Sequence, residues 1–118
     1  MDFRKIIELQ ISDDKNRGFE VDFSSEQERY DQLMKDIVGL VGEIGEFSNI
    51  VKKASISLSH PEIYRKSRAE FESGLGEELA DSLIYIIRLA GILQIDLETE
   101  TLKKITLNKE KYRSLDKN

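Results

Sequence analysis

Apolar residues recur every three or four positions along most of the chain, which is the period of an amphipathic α-helix. This spacing predicts four helices. The first is short, and its apolar residues are Phe3, Ile6, Ile7 and Ile11. The stretch from Ser12 to Ser24 is mostly polar and contains a glycine, so we expect a loop there. The second helix has a long apolar stripe, formed by Tyr30, Leu33, Met34, Ile37, Val41, Ile44, Ser48 and Val51.

The start of the second helix is marked by Ser25 followed three residues later by Glu28. This is the form of a capping box, in which each side chain accepts a hydrogen bond from a backbone N–H at the beginning of a helix. The apolar stripe that follows continues without a proline, and it predicts a helix that ends at about Leu58.

The third and fourth helices are predicted in the same way. Ser59 and Glu62 repeat the capping-box form, and Pro61 falls in the first turn, where its missing N–H costs least. We therefore expect the third helix to begin near Pro61 and to end at about Leu93. Asp96 is a suitable cap for a fourth helix, which carries Leu102, Ile105, Asn108 and Tyr112 on roughly one side.

Composition places this pattern in one small all-α domain, covering residues 1–118. A net charge of −5 argues against nonspecific binding to nucleic acid, which depends on clustered lysine and arginine. No apolar segment is long enough to cross a membrane, and the N-terminus is unlike a secretory signal, so the cytoplasm is the expected location. The absence of cysteine excludes thiolate metal sites and cysteine nucleophiles.

Two pairs of carboxylates stand out because they lack basic neighbours. Glu43 and Glu46 are three residues apart on the second helix, and Glu78 and Asp81 have the same spacing on the third, so each pair projects from one side of its helix. No lysine or arginine occurs in residues 37–51 or 75–87. Many solvated helices carry acids at this spacing, but those acids usually have basic partners. Both pairs also adjoin the apolar stripes, which predicts that they are partly buried.

Converging ionised carboxylates in a poorly hydrated place are unfavourable unless a cationic side chain, a proton or a metal ion compensates them. Local cations are missing here, so a metal ion is the simplest solution. A site made only of carboxylates suits Mg²⁺, with Mn²⁺ as a substitute, better than it suits zinc. The residues between the two pairs allow an antiparallel hairpin that brings them face to face. Glu77 is either a fifth ligand or a neighbour that faces solvent.

The segments Leu40-Val-Gly-Glu-Ile-Gly-Glu46 and Glu77-Glu-Leu-Ala-Asp81 resemble the ExxE and ExxD signatures of the MazG-like nucleoside triphosphate pyrophosphohydrolases. The resemblance covers about residues 37–112 and is strongest to the dCTP pyrophosphatase branch. It implies a helical, four-helix bundle-like domain that binds Mg²⁺ and hydrolyses a nucleoside triphosphate to the monophosphate and pyrophosphate. It further implies a role in nucleotide-pool cleaning and assembly into a homodimer or homotetramer.

The resemblance also implies roles for particular residues. The expected metal ligands and catalytic carboxylates are Glu43, Glu46, Glu78 and Asp81. The expected substrate-binding residues are Lys104, Asn108, Tyr85, Lys111 and Tyr112. For the lysines the alternative is an ordinary solvated surface position, and for Tyr85 it is a place in the core. Relatives of the dCTP type carry tryptophan near the base, whereas this chain has none, so the base preference stays open.

Two other functions fit parts of the pattern. A carboxylate-bridged di-iron bundle also places acids on facing helices, but it uses Glu-x-x-His pairs, and the single histidine, His60, lies in a predicted turn. A noncatalytic helical regulatory or interaction module of the same fold is the stronger alternative. In that case the four acids would be exposed to solvent and would bind no metal.

Overall fold

The computed structural model describes residues 1–117, and the architecture is the expected all-α one, with no strand among those residues. The four helices and a short C-terminal 3₁₀ turn are α1 (Phe3–Asn16), α2 (Glu26–Ser59), α3 (Arg68–Leu93), α4 (Leu97–Lys111) and the turn Arg113–Leu115. No helix in this part of the chain has the length and apolar character required to span a bilayer. The predicted helical-bundle fold class is confirmed.

The first helix is longer than its apolar residues suggested. The sequence predicted a loop from Ser12, whereas α1 continues to Asn16. Its last turn is polar, with an ion pair between Arg17 and Asp13 at 3.8 Å, and it ends before Gly18, whose φ of 80° lies in the left-handed region. The apolar period therefore identified the apolar part of the helix and missed its polar last turn, in which Asp14 is buried.

The start of the third helix was predicted wrongly. Helix α2 runs to Ser59, and residues 60–67 connect it to α3, which begins at Arg68. The reciprocal capping box is formed by Ser67 and Glu70, each of which accepts a hydrogen bond from the other's backbone N–H at 3.2 Å. The same Ser-x-x-Glu form thus occurs twice in residues 59–70, and only the second instance leads into a packed apolar residue, Phe71.

The other predicted helix starts are confirmed in position. The Ser25 hydroxyl accepts from the backbone N–H of Glu28 at 3.2 Å, and Asp96 accepts from that of Thr99 at 3.1 Å. The carboxylate of Glu28 accepts from the Ser24 hydroxyl instead of completing the box at Ser25. One half of the expected capping box is therefore present at α2.

Helices α2 and α3 form the antiparallel hairpin on which the rest of the molecule is arranged. Their close approach depends on Gly39, because a Cβ there would lie 2.4 Å from Cζ of Tyr85. Thirteen residues separate Glu46 from the end of α2, and ten separate the start of α3 from Glu78. At about 1.5 Å per residue these stretches are roughly 20 and 15 Å long, so the two acidic segments face each other across the hairpin.

The hydrophobic core is small and lies at the opposite end of the hairpin from residues 60–67. Its buried members are Val21, Leu33 and Ile92, and Ile11, Phe23, Leu89 and Leu93 pack around them. Helix α1 contacts α3 there, while α4 contributes no buried residue. Arg4, at the start of α1, donates to both carboxylate oxygens of Asp96, at 3.1 and 3.0 Å, and so links α1 to the start of α4.

Candidate active site

Three of the four predicted carboxylates converge between α2 and α3. One oxygen each from Glu43, Glu46 and Glu78 lies within 4.8 Å of the others. Glu43 and Glu46 are nearly one turn apart on α2, and Glu78 reaches across from α3. The hairpin therefore brings the two acidic segments together, as the sequence predicted.

The surroundings of these carboxylates leave part of their charge uncompensated. Glu43 and Glu78 are half-buried, and the Oε2 atom of each is buried without a hydrogen-bond partner. The pKa of Glu78 is raised to about 7, first because its protonated form donates a hydrogen bond to Glu43, then because it is desolvated, and then because of Glu46. No lysine or arginine pairs with these carboxylates in residues 1–117. Their negative charge must therefore be balanced by a bound cation or removed by protonation.

The remaining acids differ in position. Glu46 is exposed, although one of its oxygens converges with those of Glu43 and Glu78. Asp81 is half-buried and is not one of the three converging groups, but it lines a cavity together with Glu43. Glu77 is exposed and lies outside the cluster. His60 caps the far end of α2, so the Glu-x-x-His arrangement of a di-iron site is not formed there.

A cavity of about 620 Å³ adjoins the carboxylates and lies between α1, α2, α3 and the loop after α1. This volume is within the range typical of small-molecule sites. Three aromatic rings, from Phe19, Phe23 and Tyr85, contribute to its walls. The other lining residues are Gln10, Asp14, Arg17, Gly18, Glu20, Gln32, Asp36, Glu43, Asp81, Ile84 and Arg88. Tyr85 is half-buried and so forms part of the cavity wall as well as packing on Gly39.

The end of the cavity away from Glu43 and Asp81 contains a buried ionic network. The Arg88 guanidinium donates to Asp36 at 3.0 Å and to Asp14 at 3.1 Å, and the amides of Gln32 and Gln10 donate to the other oxygens of the same two carboxylates. Sequence reasoning missed this network. A signal existed, because Arg88 is the single charged residue in positions 82–95, and a charge in such an apolar run is seldom buried without a partner.

The predicted substrate residues on α4 lie outside the cavity lining. Lys104, Lys111 and Tyr112 are exposed and Asn108 is half-buried. The Nζ atom of Lys111 lies 5.2 Å from the centroid of the Tyr112 ring, which is a cation–π contact within the helix end. Within one chain, only Tyr85 of the five predicted substrate residues borders the cavity.

Curated relatives support the interpretation drawn from the carboxylate segments. The chain is 31% identical over 99 residues to dCTP pyrophosphatase 1 of Rattus norvegicus and of Mus musculus, and 29% identical over 98 residues to that of Homo sapiens. Each match covers 81% of this chain and 56% of the relative, so the chain spans about half the length of these proteins. No family model matches the chain, and no solved structure matches it significantly. The chain is thus similar in sequence, over most of its own length, to proteins named dCTP pyrophosphatase 1, which confirms the resemblance seen in its sequence.

Proposed function

We propose that this chain, acting as a single domain, hydrolyses a nucleoside triphosphate to the monophosphate and pyrophosphate with Mg²⁺ as cofactor and Mn²⁺ as a substitute. Its role would be the removal of unwanted nucleotides from the pool. The observation that carries the proposal is the carboxylate cluster, in which Glu43 and Glu78 each have a buried oxygen without a partner. Relatives named dCTP pyrophosphatase 1 support the same chemistry.

The donor set fits a hard divalent cation. Glu43, Glu46 and Glu78 offer only oxygen atoms, the ligand type that Mg²⁺ and Mn²⁺ prefer, and the ion would supply the positive charge that the partnerless oxygens lack. We assign Asp81 as the fourth ligand on the basis of the family signature and its place beside Glu43 on the cavity wall. When bound, Mg²⁺ neutralises phosphate charge and makes water a better nucleophile.

The cavity suggests how a nucleotide would lie. With the triphosphate beside Glu43 and Asp81, the base and sugar would extend along the cavity between the rings of Tyr85, Phe19 and Phe23. Aromatic faces accept bases by stacking, and the phenylalanines offer such faces in a chain that lacks tryptophan. Water would attack the α-phosphorus, and pyrophosphate would leave.

The residues of α4 enter this proposal through assembly. We propose a homodimer or homotetramer in which α4 or its copy brings Lys104, Asn108, Lys111 and Tyr112 to the phosphates and sugar. Support comes from apolar side chains left exposed at helical spacing on the hairpin, which would be buried between copies. They are Met34, Val38 and Val41 on α2, and Leu79, Leu83 and Ile86 on α3.

The direct test is product analysis. Purified protein is incubated with each deoxynucleoside and ribonucleoside triphosphate in the presence of Mg²⁺, and the products are resolved by ion-exchange chromatography. We expect a monophosphate and pyrophosphate in equal amounts, and no turnover when a chelator removes the metal. Release of orthophosphate would indicate a different phosphatase chemistry.

The noncatalytic alternative is tested by measuring metal binding in a separate experiment. It requires acids that are exposed and bind no metal, whereas Glu43, Glu78 and Asp81 are half-buried. Calorimetry with Mg²⁺ and a nonhydrolysable triphosphate should give a binding isotherm. A flat isotherm together with absent turnover would favour the noncatalytic module.

A further inference from the structure

Arg88 lies on the same side of α3 as Asp81 and Tyr85, seven and three residues further along the helix. Its side chain is only 8% exposed. The two carboxylates that it contacts come from different elements, Asp14 from α1 and Asp36 from α2, and both are buried. Arg88 therefore joins three helices at a point two turns from the proposed metal ligand Asp81.

The guanidinium also holds the loop after α1. Its Nη1 donates to the carbonyl oxygen of Phe19 and its Nη2 to that of Glu20, both at 3.3 Å. Residues 17–25 form no helix or strand, and Gly18 breaks α1 just before these carbonyls. Phe19, Glu20 and Phe23 from this loop form one wall of the cavity. Arg88 is thus a polar attachment between the cavity wall and the hairpin that carries the carboxylates.

We propose that Arg88 is a positioning residue for nucleotide binding, which fixes the loop of residues 17–25 at the distance from α3 that a bound base requires. This inference rests on the proposed function, since it names what holds the base-binding wall of the same site. Arg88 contacts none of the four proposed metal ligands. Its loss should therefore weaken substrate binding more than it slows the chemical step.

Arg88→Lys separates the two roles of the guanidinium. Lysine keeps the positive charge between Asp14 and Asp36, but a single ammonium group cannot also reproduce the forked contacts to both loop carbonyls. We expect KM to rise roughly tenfold while kcat changes by no more than about twofold, as expected when the bound substrate and the transition state lose the same binding free energy. Amide hydrogen exchange in residues 17–25 should become faster than in the wild type.

Arg29→Lys is the matched control. Arg29 also donates to a backbone carbonyl, that of Ile92 at 3.0 Å, but it does not line the cavity. It should leave KM and the exchange of residues 17–25 as in the wild type. The proposal is overturned if Arg88→Lys leaves KM unchanged, if it lowers kcat with KM constant, or if Arg29→Lys raises KM equally.

A second variant covers the case in which Arg88→Lys does not fold. Replacing the whole network, as Asp14→Leu, Asp36→Leu and Arg88→Met together, leaves no unpaired buried charge, and such replacements are often neutral for stability. Faster exchange in residues 17–25 is expected here too, and unchanged exchange would refute the attachment. If the wild type releases no pyrophosphate, the proposed function and the effect on KM both fail, whereas hydrogen exchange still decides whether Arg88 holds the loop.

Discussion

Two groups of acidic side chains border one cavity, and they differ in how their charge is balanced. At one end, Asp14 and Asp36 share Arg88, and the second oxygen of each accepts a hydrogen bond from a glutamine amide. At the other end, Glu43 and Glu78 have buried oxygens without any partner. The paired group joins α1, α2 and α3, and the unpaired group joins α2 and α3, so the two groups share the hairpin and differ in the side chains that surround them.

The contrast separates a structural role from a binding role. A buried charge that is fully paired is balanced by groups of the same chain, so it needs no further partner from solvent or ligand. A carboxylate cluster with unpaired buried oxygens lowers the stability of the folded chain, and such unfavourable clusters occur mainly at functional sites. We therefore expect substitutions in the unpaired group to lower turnover and substitutions in the paired group to lower stability.

The largest effect is expected at the unpaired end. Glu43→Gln should reduce turnover on the order of 10³-fold, because it removes an anionic ligand from the proposed metal site and with it the stabilisation of phosphate charge. The free energy of unfolding without metal should stay the same or increase, since a repulsive charge is lost. The assay is pyrophosphate release under saturating Mg²⁺, with circular dichroism to verify helical content.

Glu77→Gln is the control for this experiment, because Glu77 is the adjacent acid on α3 but is exposed and outside the cluster. Its activity should be close to that of the wild type. An equal loss in Glu77→Gln would instead support the alternative that Glu77 is a fifth ligand. Full activity in Glu43→Gln would argue decisively against the metal assignment.

The next effect is expected at the paired end. Arg88→Met leaves Asp14 and Asp36 buried without their cation, and breaking a buried ion pair in this way costs about 3 kcal/mol or more. Urea denaturation should show this as a lower midpoint. Arg29→Met, which removes a partly buried arginine with one backbone contact, should cost only about 1 kcal/mol. Similar losses in both variants would mean that the network has no special role in stability.

The smallest effect is a pH dependence of stability in the metal-free protein. The pKa of Glu78 is about 7 in the folded state against 4.5 for an ordinary glutamate, so the folded state binds more protons between these values. The free energy of unfolding should therefore fall as pH rises from about 4.5 to 7. Denaturation in chelator across this range measures the slope, and Glu78→Gln should reduce it. A slope of the opposite sign would contradict the raised pKa.

The helices were predicted correctly from the sequence where the apolar period and the capping residues indicated the same helix start. The apolar period of α2 predicted its extent, and the caps Ser25 and Asp96 were placed correctly, although most of the predicted stripe is exposed in one chain and Leu33 is its one buried member. The start of α3 was misplaced, because Ser59-x-x-Glu62 and Ser67-x-x-Glu70 have the same local form and the choice between them depends on where Phe71 packs. Tertiary packing of this kind cannot be read from a local pattern.

The candidate site, like the fold, could be predicted from the sequence only in part. Convergence of Glu43 and Glu78 followed from helical spacing and the absence of nearby cations. The cavity did not, because its walls bring Asp14 and Phe19 together with Arg88, which lies 74 and 69 residues further along the chain. The α4 residues were predicted from the resemblance alone, and within residues 1–117 they lie outside the cavity lining.

The contact between Gly39 and the Tyr85 ring has a consequence for how this site can vary. The phenol occupies the volume that a Cβ at position 39 would need, so a larger residue there requires the Tyr85 ring to move or the two helices to separate. Either change would alter the cavity wall to which Tyr85 contributes, and a smaller residue at position 85 would open a gap in the same wall. The helix contact and the shape of the cavity are thus coupled, and a change in one of these two positions calls for a matching change in the other.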